Sequence, residues 1–382
     1  MRFCADSHAV LRVVVQLGTG NWERFDMAKK IRVGVLFGGR SGEHEVSLRS
    51  AASVIEATDK KKYEVVPIGI TKQGAWVTGA DAEALLAGKY NGGAGSTSSE
   101  QVLADLKIEV VFPVLHGTFG EDGTIQGLLD LANVAYVGSG VLGSAAGMDK
   151  DVMKRLFRDS KLPQVKYICV LRSEWESAPK KMRKKIEDAL RYPLFVKPAN
   201  LGSSVGISKV HEARELKSAM DEAAKYDRKI VVEQGVGGKR NKAREIECAV
   251  LGNDEPKASI CGEIVPSKEF YDYDAKYIDE GSKLLIPAKI SRAQQKQVQQ
   301  MAIAAFQACD CAGLSRVDFL MDPATEKFYL NEVNTMPGFT SISMYPKLWG
   351  ATGVGYPSLI DQLIQLGLER HAERSRNRYS KD

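Results

Sequence analysis

Arg316-Val317-Asp318-Phe319-Leu320-Met321, followed by Asp322-Pro323-Ala324-Thr325 and then Phe328-Tyr329-Leu330-Asn331-Glu332-Val333-Asn334, reads as two short strands joined by a turn. If Leu320 pairs with Leu330, Asp318 falls opposite Glu332 and Arg316 opposite Asn334. The period of two then keeps all four on one face. Carboxylates directly opposite each other lie about 5 Å apart at Cβ and destabilise the pair unless a cation sits between them. Two acids and an Asn amide oxygen make the oxygen-rich set that Mg²⁺ accepts when phosphates complete its octahedron. A solvated strand face alternates in the same way, so the hairpin needs support from the rest of the chain.

Outward from it, the sequence alternates strands with helices. Ile31 to Phe37 is a continuous apolar run ending in Gly38-Gly39, Val46 to Ala57 carries helical spacing, and Val65–Ile70, Val110–Leu115 and Val134–Val137 are further buried-strand runs. This predicts a parallel, helix-flanked sheet over 28–147, hence an α/β amino-terminal domain. A second unit over 148–243 contains Leu194-Phe195-Val196 and Ile230-Val231-Val232. A third, α+β in character, follows the basic insert Gly237–Lys242 and occupies 244–382. Residues 1–27 are expected to lie outside the fold, as a disordered or mis-assigned extension.

Composition narrows the classes. The 382 residues, 44% hydrophobic and with a net charge of +5, fit a soluble protein of two or three domains. No apolar run approaches the roughly 18 residues of a membrane span, and the basic residues are scattered among acids, unlike a nucleic-acid footprint. The six cysteines show no C-x-x-C pair, which favours a reduced, cytoplasmic setting.

Three more features point to phosphate chemistry. Lys197-Pro198 closes a buried run, and the proline holds Lys197 extended at the strand end. Lys150 opens a helical pattern, where the dipole disfavours a cation unless acids or a bound anion compensate it. Asn200-Leu201-Gly202-Ser203-Ser204-Val205-Gly206 is a loop whose N–H groups can wrap a phosphate. It also fits G-x-S-x-G centred on Ser204, but a nucleophile elbow needs a helix directly after it, and Ile207–Val210 alternates like a strand. No Walker A motif occurs, and Gly38-Gly39-Arg40-Ser41-Gly42 departs from G-x-G-x-x-G. Finally, Pro266 to Lys283, rich in tyrosine and charge and without a clean period, reads as an active-site lid over 266–286.

Taken together, Gly38-Gly39-Arg40-Ser41-Gly42-Glu43-His44-Glu45-Val46-Ser47, Leu115-His116-Gly117 with Gly120-Glu121-Asp122-Gly123, Val196-Lys197-Pro198 with Gly202–Gly206, Glu233-Gln234-Gly235, Arg244-Glu245-Ile246-Glu247, Arg316-Val317-Asp318 and Asn331–Gly338 occur in the order seen in D-alanine:D-alanine ligases of the ATP-grasp superfamily. The chain resembles that family from about residue 31 to 368. The resemblance implies an amino-terminal α/β domain followed by a two-lobed ATP-grasp fold, and ATP-dependent joining of two D-alanines through a D-alanyl phosphate, for cell-wall precursor synthesis. It implies that Asp318, Glu332 and Asn334 hold Mg²⁺ (or Mn²⁺), that Lys150, Lys197, Lys276 and Ser204 meet ATP phosphates, that Glu233, Gln234, Val236 and Phe270 surround adenine, and that Glu245 meets the ribose. Glu43, with His116 nearby, would take the first D-alanine's ammonium, and Glu43, Ser203 and Tyr277 would hold the lid closed. Arg316 and the Gly338 N–H would stabilise the tetrahedral intermediate, and Ser343 and Met344 would receive the second D-alanine's carboxylate. D-Alanine and ATP are the implied partners, without nucleic acid or membrane, in a homodimer. Two alternatives remain: a ligase making D-alanyl-D-lactate or D-alanyl-D-serine, against which the Lys276-Tyr277 pair speaks, and a non-catalytic nucleotide-binding module, against which the intact acids and lysines speak.

Overall fold

The computed structural model describes residues 10–17, 21–92, 99–237, 242–266, 283–378 and 380. Strands β1 (Val10–Leu17) and β2 (Asn21–Ala28) pair antiparallel as a sheet of their own, where the sequence suggested no ordered structure. The amino-terminal domain carries β3 (Ile31–Gly38), β4 (Tyr63–Ile70), β5 (Trp76–Thr78), β6 (Val110–Pro113) and β7 (Ala135–Tyr136), in the order β5-β4-β3-β6-β7. The pairings β3–β4, β3–β6 and β6–β7 are parallel as expected; the short edge strand β5 runs antiparallel and left too brief an apolar signal to be read. Both faces of β3 are buried, with Val33, Val35 and Phe37 in one core cluster and Leu36 in another, which is why the run is continuously apolar.

The second sheet is antiparallel: β8 (Tyr167–Leu171), β9 (Leu194–Pro198), β10 (Ser208–Val210) and β11 (Lys229–Gln234), in the order β10-β9-β11-β8. The third contains β12 (Arg244–Gly252), β13 (Lys257–Val265), β14 (Lys283–Leu285), β15 (Gly313–Met321) and β16 (Phe328–Asn334), ordered β14-β13-β12-β15-β16. Of the expected lid, residues 283–285 are therefore an edge strand paired to β13. Phe270, Lys276 and Tyr277 lie outside the described residues.

Packing does not follow the sequence divisions. The helix Lys150–Asp159 sends Met153 and Phe157 into the core of the third sheet, beside Ile246, Val317 and Val333, although its position in the chain placed it with the central unit. The last helix, Tyr356–Arg374, buries Leu359, Ile360, Leu363 and Ile364 with Val33, Val35 and Phe112 of the first sheet. Asp361 on that helix accepts from Tyr63 Oη at 2.7 Å and pairs with Lys62 Nζ at 3.0 Å. The first sheet and the last helix thus share one core, which also takes in Ala249, Leu251 and Leu314 of the third sheet, while the central sheet has a cluster of its own.

Candidate active site

A cleft of about 450 Å³ opens where the three sheets meet. Its floor is the β15–β16 hairpin. Asp318 pairs with Glu332 and Arg316 with Asn334, the register expected. Arg316, Asp318, Glu332 and Asn334 are partly exposed while Val317, Phe319 and Val333 are buried, so the four polar groups do share one face. Beyond Asp318 the register slips: Phe319 pairs with Leu330 and Leu320 with Tyr329. The expected Leu320–Leu330 pair is corrected by a bulge that leaves Asn331 as the extra residue, and bulges re-aim side chains in this way. Asn331 Oδ1 lies 3.4 Å from Lys197 Nζ as a result.

The register also shows an acid the sequence reading gave no role. Glu247 on β12 pairs with Asp318, so Glu247, Asp318 and Glu332 form a row across three strands. Arg316 offsets that charge: Nε and Nη2 reach the two Asp318 oxygens at 2.8 Å each, and Nε lies 3.1 Å from Glu247 Oε2. Burial opposes the guanidinium charge, but Asp318 and Glu247 outweigh it and hold its pKa well above the usual arginine value. Asn334 Nδ2 donates to Asp318 Oδ2 at 2.9 Å. The pairing of Glu247 was legible only once β12 was known to neighbour β15.

Lysines face this floor. Asp149 caps the helix that starts at Lys150, accepting from Asp151 N and Val152 N, and Lys150 Nζ lies 2.9 Å from Leu201 O and 3.6 Å from Glu332 Oε2. Lys197, within β9, lies 2.7 Å from Glu233 Oε2, whose other oxygen is 2.9 Å from the fully buried Lys154. Burial opposes ionisation of Glu233, yet the two lysines outweigh it and pull its carboxyl down to about 2. Burial likewise opposes the charge on Lys197, and Glu233 and Glu332 overcome it to raise that ammonium above the usual lysine range. Between β9 and β10 the loop Asn200–Gly206 holds Ser203 and Ser204 at φ 50° and 60°, left-handed values uncommon outside glycine. Such conformations collect at ligand clamps. The strand β10 follows, which removes the nucleophile-elbow reading of Ser204.

Two expected adenine contacts use their side chains elsewhere. The carboxylate of Glu233 is held by the two lysines, and Gln234 Oε1 accepts from Arg191 N at 3.0 Å; both residues still border the cleft, with Val236 and Glu245.

At the other end, Glu43 precedes the helix His44–Ala57 and accepts from Ser203 Oγ, linking the first domain to the central loop. His116 is buried; its Nδ1 lies 3.1 Å from Met336 O and Nε2 3.1 Å from Ser50 Oγ. A carbonyl only accepts, so the proton is on Nδ1 and Ser50 donates to Nε2. Burial lowers the His116 pKa, with Glu43 opposing, and the ring stays neutral near pH 7. Glu121, also missed, accepts from Gly117 N at 2.8 Å; burial first and the Glu43 charge second push its carboxyl up to about 8. Its signal was its place in Gly120-Glu121-Asp122-Gly123, five residues after His116. Ser343 Oγ accepts from Thr340 N at 3.1 Å and lies 3.3 Å from where a Cβ on Gly338 would stand. The Met344 side chain is buried, so what it can offer the cleft is its N–H in the first turn of the helix Met344–Thr352.

No cluster of three or more His, Cys, Asp or Glu among the described residues is arranged to hold an ion unaided. Carboxylates on adjacent strands with an amide oxygen beside them fit a hard cation that takes its remaining oxygens from a substrate. Among the described residues no helix is long and apolar enough to cross a membrane.

Residues 32–139 match the family model for the D-ala D-ala ligase N-terminus and 156–365 that for its C-terminus. The chain is 53% identical over 361 residues to a D-alanine--D-alanine ligase of Heliobacterium modesticaldum, covering 91% of this chain and 97% of that one. It is 50% identical over 365 residues to one from Bacillus cytotoxicus, covering 92% and 99%. Among solved structures, the D-alanine-D-alanine ligase from Coxiella burnetii superposes with a TM-score of 0.74 at 36% identity, covering 91% and 97%. The VanG D-Ala:D-Ser ligase from Enterococcus faecalis gives 0.78 at 37%, covering 89% and 100%.

Proposed function

The chain belongs to the D-alanine--D-alanine ligase family and is a ligase, and from that premise we propose that its cleft joins two D-alanines in two ATP-driven steps. In the first, a carboxylate oxygen of one D-alanine takes the terminal phosphoryl group of ATP, giving D-alanyl phosphate and ADP. In the second, the amine of the other D-alanine attacks the acyl carbon, and inorganic phosphate leaves as the peptide bond forms. The relatives named above favour D-alanine over D-lactate as second substrate.

Little covalent work falls to the protein in phosphoryl transfer; it positions the groups and offsets their charge. Lys150, Lys197, Ser204 and the N–H groups of the 200–206 loop would meet the phosphates, with Lys276 from the lid. Asp318, Glu332 and Asn334 would hold Mg²⁺ (or Mn²⁺), which when bound neutralises phosphate charge. Val236, the main chain at Glu233 and Gln234, and Phe270 would border the base, and Glu245 the ribose. Glu43 would bind the first ammonium, with Ser203 and Tyr277 locking the lid. Arg316 and the Gly338 N–H would receive the oxyanion, and Ser343 with the Met344 N–H the second carboxylate. Excluding water matters because an exposed acyl phosphate hydrolyses before the amine arrives. The dipeptide would feed peptidoglycan precursor synthesis in the cytoplasm, and the enzyme would work as a homodimer.

The observation that carries this reading is Asp318 opposite Glu332 on a floor faced by Lys150 and Lys197. The test is coupled phosphate release with D-alanine, L-alanine, D-lactate and D-serine, with and without Mg²⁺. D-Alanine alone should sustain turnover; a strong preference for D-lactate or D-serine at neutral pH would overturn the assignment.

A further inference from the structure

Lys154 is a charge the cleft does not display. It has 0% relative exposure and does not line the cleft, yet its Nζ is 2.9 Å from Glu233 Oε1, while Lys197, which does line the cleft, takes Oε2 at 2.7 Å. A second face of Lys154 meets the Tyr167 ring, 5.5 Å from Nζ to centroid. Glu233 and Lys197 alone would make a complete buried ion pair. A further buried ammonium adds desolvation cost that an apolar residue of the same length would avoid. For the fold alone, Lys154 is therefore a poor choice.

Its charge has a consequence at the cleft. Burial and the Lys197 charge work against the Lys154 ammonium and Glu233 works for it; with Lys154 charged, the three groups sum to one positive charge, shared by a carboxylate whose oxygens each have a separate cation. Without it, Glu233 and Lys197 neutralise each other, and an approaching polyphosphate meets a carboxylate as closely as an ammonium. At these separations and low local dielectric a full charge is not a small effect.

We propose that Lys154 is a positioning residue for the nucleotide phosphates, engaging Glu233 so that Lys197 keeps an unneutralised charge toward the cleft. This rests on the ATP-dependent reading above. Lys154 itself touches no substrate; it acts through Glu233.

The test compares wild type, Lys154→Met, Glu233→Gln and the double variant Lys154→Met/Glu233→Gln, so that the effect of Lys154→Met is read with and without the acid whatever Glu233→Gln costs by itself. ATP binding is measured by calorimetry without amino acid, alongside KM for ATP and for D-alanine. Lys154→Met should lose about tenfold or more in ATP affinity when Glu233 is present while KM for D-alanine moves within about twofold, and should change affinity by less than about twofold in the Glu233→Gln background. A packing role of Lys154 would cost the same in both backgrounds. A smaller loss with Glu233 present, or an equal loss in the Glu233→Gln background, overturns the proposal. If Lys154→Met alone does not fold, the comparison within the Glu233→Gln background decides by the same twofold limit, and failure of the double variant to fold as well assigns Lys154 to the fold and overturns the proposal. Wild type that does not bind ATP would sink the ligase reading and this inference together, whereas binding unchanged by Lys154→Met sinks the inference alone.

Discussion

Gly117→Ala is the sharpest probe of the role proposed for Glu43 at the first D-alanine. Gly117 has φ +74°, and a Cβ built on it would stand less than 3.0 Å from Glu43 Oε2 and 3.4 Å from Ser41 Cβ. Holding an alanine in the left-handed region costs about 1–2 kcal/mol. The collision adds a second effect, because Oε2 must retreat toward the roughly 3.5 Å of a relaxed contact. Glu43 Oε1 is tied to Ser203 Oγ, so the carboxylate cannot turn without breaking the link between domains. A displacement of this order at a positioning group costs about 100-fold in rate, or about 2.7 kcal/mol. Urea unfolding should show the strain, and phosphate release at varied D-alanine should show the fall in kcat/KM, with KM for ATP nearly unchanged. A folded variant with kcat/KM for D-alanine within about threefold of wild type would remove Glu43 from the amino-acid site.

Three further outcomes are expected. Glu332→Ala should abolish turnover, measured by phosphate release, through lost charge at the row of acids; near wild-type activity would take Glu332 out of the site. Glu121, lifted to about 8, keeps its proton in the fold where the unfolded chain has lost it; stability should therefore fall as pH rises from the ordinary carboxylate range through about 8, then level off. Glu121→Gln should flatten that decline in urea melts, and an unchanged slope would exclude Glu121 as its source. Gly143→Ala would drive a methyl into the backbone carbonyl of Asp310, and thermal melts should show a loss of about 1–3 kcal/mol from overpacking.

The sequence carried the hairpin and the cleft lysines Lys150 and Lys197 because each announces itself locally. A period of two with acids in phase predicts a shared face, and Lys197-Pro198 ends a buried run. What it did not carry is set by neighbours distant in the chain. Asn331 becomes a bulge because the hairpin ladder slips by one, and no propensity of Asn331 requires that. Glu247 joins Asp318 only through the order of strands in the third sheet, and Lys154 reads as one more surface lysine until Glu233 is placed beside it. Gln234 illustrates the reverse case: the motif is present, but its amide turns to Arg191. The short strand β5, with Trp76 to Thr78, is too brief for periodicity to separate from a turn.

The shared core of the first sheet and the last helix also decides how this molecule can be cut. A fragment ending before Tyr356 would leave Val33, Val35 and Phe112 without the apolar cover of Leu359, Ile360 and Leu363, so the amino-terminal third would not survive as an isolated piece. The central portion, by contrast, buries Val170, Ile186, Val196 and Ile230 in a cluster of its own. It is the natural unit to excise or exchange between relatives.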